Sequence, residues 1–221
     1  MEVAQPVDEA GTPALRAAIA GWLARTVRLT RRGAQPLVDL RLARSPGVAG
    51  PNLVAFVLGF AMYALLTLVV LIVRNDGDWG LGRGALSAGL VLVPYALASV
   101  VGSRIALRTA RHFGPRWLLP TGSLVFGSAM LLLAFAHDDF THVLVAMALG
   151  GIGSGFTFSS LPMLIVPHVP AAETGSALSF NMLLRYIGFS VGSATSVALL
   201  EVLGNDQTAL RTTILVMAGV C

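Results

Sequence analysis

The stretch that decides the fold runs from residue 85 to residue 136 and has three parts: ALSAGLVLVPYALASVV at 85–101, GSRIALRTARHFGPR at 102–116 and WLLPTGSLVFGSAMLLLAFA at 117–136. The first and third parts carry no charged residue. At about 1.5 Å per helical residue, each is long enough to cross most of a hydrocarbon core of roughly 30 Å. The middle part holds Arg104, Arg108, Arg111 and Arg116 with no acid. This pattern predicts two membrane-spanning helices joined by a basic turn that faces the cytoplasm.

The composition of the whole chain agrees with a membrane protein. Of 221 residues, 55% are hydrophobic and only 12% are charged, with a mean hydropathy of +0.78, whereas a soluble domain carries about 25% charged residues. The isoelectric point of 10.2 comes from arginines at the ends of apolar runs, which argues against a nucleic-acid partner. Cys221 is the only cysteine, so one chain has no disulfide framework or thiolate metal cluster.

Residues 1–49 are predicted to form a cytoplasmic N-terminal segment. Its residues 14–32 combine apolar and arginine-rich positions, which fits an amphipathic helix on the membrane surface or the end of a cytoplasmic loop. The polar, acidic start predicts no cleavable signal peptide. Residues 50–221 are predicted to form a helical membrane domain with five spans and a partial sixth, at approximately 53–73, 85–103, 117–136, 143–166, 175–203 and 212–221. Pro94 predicts a kink in the second span.

The distribution of arginine predicts the orientation. With the N-terminus inside, seven arginines before the first span and four in the basic turn face the cytoplasm, and only Arg74, Arg83 and Arg211 face outward. Because basic residues favour the cytoplasmic side, we expect a multi-pass protein of the inner (plasma) membrane with a cytoplasmic N-terminus.

Three stretches resemble the major facilitator superfamily. The basic stretch 102–116 resembles the second-half copy of the family's loop motif, and residues 36–41 resemble the linker that enters the second half of its fourteen-span drug:proton antiporters. Residues 179–192, with Asn181, Arg185, Gly188 and Gly192, resemble the penultimate helix. The family commonly has an acid at the position of Arg111 and a glycine at that of Leu107, so the resemblance does not extend to the conformational latch that the acid provides.

The resemblance implies a fold and a function. The fold class is an all-α integral membrane protein with five transmembrane helices and a truncated sixth, similar to the C-terminal half of a major facilitator fold. The implied function is proton-coupled efflux of drug-like or amphiphilic compounds by rocking against the missing N-terminal half. The alternative is a truncated membrane remnant or an interaction subunit without transport of its own. No motif supports an enzyme or a cofactor, and the expected partners are the bilayer, a small-molecule substrate and the missing half, which would hold any coupling carboxylate.

Arg185 is the strongest site candidate, because it lies about 15 Å from the cytoplasmic end of its span. A charge at this depth costs about 2.5–3.5 kcal/mol to insert and usually faces a bundle interior or a cavity. We expect Arg185 and Asn181, one turn earlier, to line a central cavity; the alternative is a structural arginine bonded to backbone carbonyls. Aromatic residues offer the same choice between a drug pocket and simple packing or lipid contact: Tyr63, Tyr95, Phe156 and Phe158.

Other motifs have simpler interpretations. The resemblance assigns a cytoplasmic loop motif to Gly102, Arg108, Arg111, Gly114 and Arg116. Two small-residue pairs, spaced for close helix packing, are Gly151 with Gly155 and Gly188 with Gly192. The first pair is no dinucleotide loop because no strand precedes it, and the second is no hydrolase elbow because no histidine follows Ser190. The segment with His137, Asp138, Asp139 and His142 is predicted to be a solvated turn rather than a metal site.

Overall fold

The computed structural model describes residues 45–77, 79–137 and 139–220, together with Ala17 and Gly21, which are helical and exposed. The other residues of the predicted amphipathic segment 14–32, and the linker resemblance at 36–41, lie outside the described residues. All regular elements in the described part of the chain are helical. Seven α-helices are labelled in chain order: α1 Pro46–Arg74, α2 Ala85–Leu90, α3 Leu92–Phe113, α4 Leu118–Phe135, α5 Phe140–Ile165, α6 Thr174–Val202 and α7 Gln207–Ala218.

Within the described residues, five helical segments are long and apolar enough to cross a membrane. α2 and α3 together form one of them, and the five are Gly47–Arg74, Ala85–His112, Pro115–Phe135, Phe140–His168 and Ala171–Val202. The predicted all-α membrane fold with five spans is confirmed. α7 has 12 residues, about 18 Å of helix, so it reaches only partway across a bilayer.

The second span is interrupted at Val91, between α2 and α3. Pro94 explains the break, because proline has no N–H for the carbonyl of Leu90 and its ring crowds that carbonyl. The interruption expected from Pro94 is therefore present, three residues before the proline.

The basic stretch 102–116 is mostly helix, so its prediction as a turn was wrong. α3 continues to Phe113, well past the predicted end of the span at residue 103, and Arg104, Arg108 and Arg111 lie on its last turns. Arginine, alanine and leucine are strong helix formers, and charge alone does not end a helix. The actual turn is made by Gly114, whose φ of 83° suits glycine, followed by the short 3-10 helix Pro115–Trp117.

Two other helices begin earlier than their apolar runs. α1 begins at Pro46 rather than at residue 53, with proline in its first turn, where the missing N–H costs nothing. α7 begins at Gln207 rather than at residue 212, because the Asp206 carboxylate accepts a hydrogen bond of 2.6 Å from the backbone N–H of Ala209. Proline at the start of α1 and the Asp206 cap of α7 mark these starts, so hydropathy alone does not find them.

The first close helix contact joins α1 to α6. A Cβ atom at Gly59 would lie 2.5 Å from the carbonyl oxygen of Arg185, and one at Gly192 would overlap with the carbonyl of Phe60. Gly188 likewise lies directly against the backbone at Phe56. The backbones of the two helices therefore touch along this α1–α6 seam. Any larger side chain at these glycines would push the helices apart.

A second seam joins α3 to α5. A Cβ at Gly102 would lie 2.6 Å from the carbonyl oxygen of Ile152, while Gly151 and Gly155 lie against the carbonyls of Tyr95 and Ser99. α5 also packs closely on α4, which in turn contacts α7. α5 is therefore central to the described bundle.

Contacts between loops show which helix ends lie together. The indole N–H of Trp79 donates to the carbonyl of Asn205 at 2.9 Å, and the guanidinium of Arg83 lies 4.3 Å from the ring centroid of Phe140. At the opposite end, the ring of His168 lies against Gly47. We call the first side of the bundle the Trp79 end. We call the opposite side the Arg116 end, because it also holds the turn Pro115–Trp117 between α3 and α4. The helices thus alternate in direction, as consecutive membrane spans must.

Replacing Gly192 by alanine tests the α1–α6 seam. Gly192→Ala should lower the midpoint of thermal unfolding in detergent, because forcing a methyl group into a packed contact costs about 1–3 kcal/mol. Gly127→Ala on α4 is the matched control, since a Cβ there meets no atom within 4 Å, and it should leave the midpoint unchanged or higher. An equal fall in the unfolding midpoint of both variants would contradict a close backbone contact at Gly192.

Candidate functional site

Arg185 lies near the middle of α6, about 17 Å along the helix from Thr174. Its guanidinium carbon lies 4.4 Å from the ring centroid of Phe158 on α5, and its Nε is buried without a hydrogen-bond partner among the described residues. A cation over an aromatic face is stabilised by the ring quadrupole, more strongly away from water. The aromatic ring therefore offsets part of the cost of a charge at this depth.

Three more aromatic rings lie beside the α1–α6 seam. The rings of Tyr63 and Phe189 stack with their centroids 4.3 Å apart, and Tyr186 meets Phe189 edge-on at 5.4 Å. Tyr63 and Tyr186 are exposed. We call the group formed by Tyr63, Phe158, Arg185, Tyr186 and Phe189 the aromatic–arginine face. It combines flat apolar surfaces with one cation, and it draws on α1, α5 and α6.

Asn181 does not share this face. Its side chain is 3% exposed, and its amide nitrogen donates to the carbonyl of Pro51 at 3.1 Å and to Oδ1 of Asn52 at 3.0 Å. The glycine contacts bring the α1 backbone within reach of this amide, which needs polar partners in an apolar interior. The structure therefore places the Asn181 side chain in a hydrogen-bonded contact between α1 and α6, and its role as a cavity residue stays a prediction.

Two of the predicted aromatic residues also lie in packed positions. Tyr95 is buried between α3 and α5, where its hydroxyl donates to Oγ of Ser154 at 2.8 Å. Phe156 is half-buried and lies near Gly122 of α4. Phe158 lies two residues after Phe156, which is about 200° around α5. Phe158 therefore faces Arg185, whereas Phe156 faces α4. The sequence offers both Phe156 and Phe158 as aromatic candidates. It does not show which side of α5 faces α6, so it cannot tell the two apart.

The residues of the predicted loop motif are divided among three roles. Gly102 lies in the α3–α5 seam, and Gly114 makes the turn after α3. The three arginines of the motif are exposed at the Arg116 end, and no hydrogen bond or ion pair joins them to another described residue: Arg108, Arg111 and Arg116.

The segment between α4 and α5 offers no metal site within the described residues, where no group of three metal-ligating side chains occurs. His137, predicted in a solvated turn, is in fact 1% exposed, with Nδ1 at 3.0 Å from the carbonyl oxygen of Leu133. Asp139 caps α5 by accepting from the backbone N–H of Thr141. Both side chains therefore act at helix ends, which explains why histidine and acid cluster here.

The apolar bundle, with a cation held at mid-depth on an aromatic ring, defines a multi-pass integral membrane protein. The model of the Major Facilitator Superfamily matches residues 52–221. The chain belongs to this family, which confirms the resemblance at the level of the superfamily.

Curated relatives agree with this assignment. Multidrug resistance protein 3 of Bacillus subtilis is 30% identical over 166 residues, which cover 73% of this chain and 31% of that protein. Multidrug efflux pump LfrA of Mycolicibacterium smegmatis is 28% identical over 76% of this chain and 33% of its own length. The methylenomycin A resistance protein of Streptomyces coelicolor is 29% identical over 74% of this chain and 34% of its own length. The chain thus spans about a third of the length of these relatives.

Removal of the Asn181 amide tests its bonding role. Asn181→Ala should destabilise the protein by about 1–3 kcal/mol, because buried polar groups of α1 lose a partner. Ser190→Ala is the control on the same helix, since Ser190 is exposed and its hydroxyl contacts only the carbonyl of Tyr186. Thermal unfolding in detergent measures both, and a stable Asn181→Ala would contradict the role.

Proposed function

We propose that the chain forms one half of an efflux carrier for amphiphilic compounds, and that the aromatic–arginine face is its contribution to the substrate cavity. The observation that carries this proposal is the guanidinium of Arg185 on the ring of Phe158 at 4.4 Å, beside exposed tyrosines. The relatives are named for multidrug resistance and efflux, which supports the same substrate class.

The chemistry of the face fits amphiphilic substrates. Stacked rings offer flat apolar contact to a hydrophobic skeleton, and a few polar groups in a mostly apolar site fix its orientation. Arg185 supplies such a group, with a buried Nε that has no partner among the described residues. A substrate with a hydrogen-bond acceptor would satisfy this N–H, whose burial without a partner costs free energy.

A complementary helical half is required for transport. The exposed Tyr63 and Tyr186 form only one wall, and a carrier of this type moves substrate by rocking two repeat-related halves around a midplane site. We propose that this chain represents the C-terminal half of a fourteen-span carrier, with the N-terminal half on the opposite side of the aromatic–arginine face.

The proposed energy source is the proton gradient across the plasma membrane. In the described spans the acids Glu173 and Glu201 lie only at helix ends, so a carboxylate that binds and releases the coupling proton belongs to the complementary half. The proposed orientation places the Arg116 end in the cytoplasm, following the excess of arginine on that side.

Transport by variants of Arg185 tests the cavity. In cells that express the chain with a complementary half, Arg185→Ala should reduce efflux of an amphiphilic dye about tenfold or more, because the substrate loses a charged hydrogen-bond donor and such a bond contributes about 1.5–3 kcal/mol. Arg185→Lys, which keeps the charge without the planar stack, should be intermediate. Dye accumulation is compared at equal membrane levels of protein, with and without a protonophore.

The control for this experiment is Arg211→Ala, which removes an exposed arginine near the Trp79 end. It should transport like the unchanged protein. Equal efflux by Arg185→Ala and the unchanged chain would show that the aromatic–arginine face does not bind substrate. No efflux by the unchanged chain with its complementary half would favour an interaction subunit without transport.

Cysteine labelling tests the orientation. Arg116→Cys and Thr208→Cys, each in a Cys221→Ser background, place single exposed thiols at the two ends of the bundle. A membrane-impermeant maleimide added to intact cells should label Thr208→Cys, and should label Arg116→Cys only after permeabilisation. The reverse pattern would overturn the cytoplasmic placement of the Arg116 end.

A further inference from the structure

α3 has one face against protein and an opposite face that no other described element covers. Gly102 and Ala106 are buried against the bundle. About half a turn away around the helix lie three exposed apolar residues, of which Leu97 is 65% exposed: Val93, Leu97 and Val100. Their spacing of four and three residues puts them on one line along the helix.

The same line continues into three arginines. Arg104, Arg108 and Arg111 follow at the same spacing, and all three are exposed. Within the described chain no hydrogen bond or ion pair engages their guanidinium groups. We call the six residues from Val93 to Arg111 the α3 stripe. It is apolar along the membrane core and basic beyond it.

The basic part lies at the depth of lipid headgroups. Arg104 is about 28 Å along the helical span from Ala85, and Arg111 is about 10 Å further, so the arginines begin where a hydrocarbon core of roughly 30 Å ends. Trp117, which is 60% exposed at the same end, is a residue type enriched at the interface between lipid and water. The stripe therefore matches a phospholipid in its order of polarity: its apolar residues lie beside the acyl chains, and its arginines lie beside the phosphate at the Arg116 end.

We propose that the α3 stripe binds an anionic phospholipid from the leaflet at the Arg116 end. The acyl chain lies along Val93, Leu97 and Val100, and the phosphate lies among the three guanidinium groups, whose planar donors match phosphate oxygens. Glu173 is the only acid at this end of the described chain, so the local charge favours an anionic headgroup over a zwitterionic one. This proposal depends on the membrane placement alone and is independent of transport.

A helix of the complementary half is the other occupant to consider. Ile105 and Leu107 are also exposed, one on each side of the arginines, so the open face of this helix end is wide. A wide face with an apolar border and unpaired cations fits a phospholipid, whose flexible acyl chains and anionic headgroup adapt to it, better than one narrow helix contact. A protein occupant would also need to supply several acids at the membrane surface.

Native mass spectrometry of the full chain, purified in detergent with phosphatidylglycerol or phosphatidylcholine, tests the proposal. The unchanged chain should retain phosphatidylglycerol in preference to phosphatidylcholine. The triple variant Arg104→Gln, Arg108→Gln and Arg111→Gln should lose about 100-fold in affinity for phosphatidylglycerol, since each arginine near the surface contributes about fivefold. The matched control removes three arginines near the Trp79 end and should keep the preference: Arg74→Gln, Arg83→Gln and Arg211→Gln.

The unchanged chain offers a second measurement that does not depend on a variant folding. Raising the salt concentration from about 0.1 M to 1 M shortens the screening length from about 10 Å to 3 Å, so phosphatidylglycerol retention should fall steeply. Glycerol phosphate, which lacks acyl chains, should not displace the lipid at equal concentration. Equal retention of the two lipids, equal losses in the two triple variants, or crosslinking of Arg108→Cys to the complementary half instead of lipid would each overturn the proposal.

Discussion

The fold depends on direct contact between helix backbones. Inside a bilayer, lipid tails are as apolar as leucine, so burial of apolar surface gives little drive for helices to associate, and close packing must supply it. Gly59 and Gly192 permit this contact between α1 and α6, while Gly102 and Gly151 permit it between α3 and α5. The two seams hold four of the five spans and set the rotation of each helix about its axis. The side-chain contacts between α1 and α6 and between α3 and α5, such as Asn181 with Asn52 and Tyr95 with Ser154, follow from that rotation.

The rotation explains why two polar residues one turn apart on α6 have different roles. Asn181 points into the α1–α6 seam and satisfies its amide on the α1 backbone, so it behaves as a structural bond. Arg185 is rotated about 40° from Asn181, so that its carbonyl lies in the seam against Gly59 while its side chain meets Phe158 on α5. A guanidinium is too large for a contact built on glycine. It therefore remains where the bundle opens, beside the aromatic rings of the proposed cavity.

Much of this arrangement could be predicted from the sequence, and the failures have physical causes. The five spans follow from hydropathy, because the bilayer dictates their length, and the break near Pro94 follows from proline chemistry. The continuation of α3 through its arginines was missed because charge marks the membrane boundary and not the end of a helix; only Gly114 marks that end. Phe158 could not be separated from Phe156, nor Asn181 from Arg185, because the aromatic–arginine face depends on contacts between helices that are distant in the chain.

The interruption at Val91 divides the second span into two rods of unequal length. The short rod is α2, which follows the segment that carries Trp79. The long rod is α3, which packs closely on α5 at Gly102 and Gly151. Because proline removes the hydrogen bond that would hold the two rods on one axis, each rod follows its own neighbour. The short rod packs on α1 and the long rod on α5, so one span contributes to two separate helix contacts.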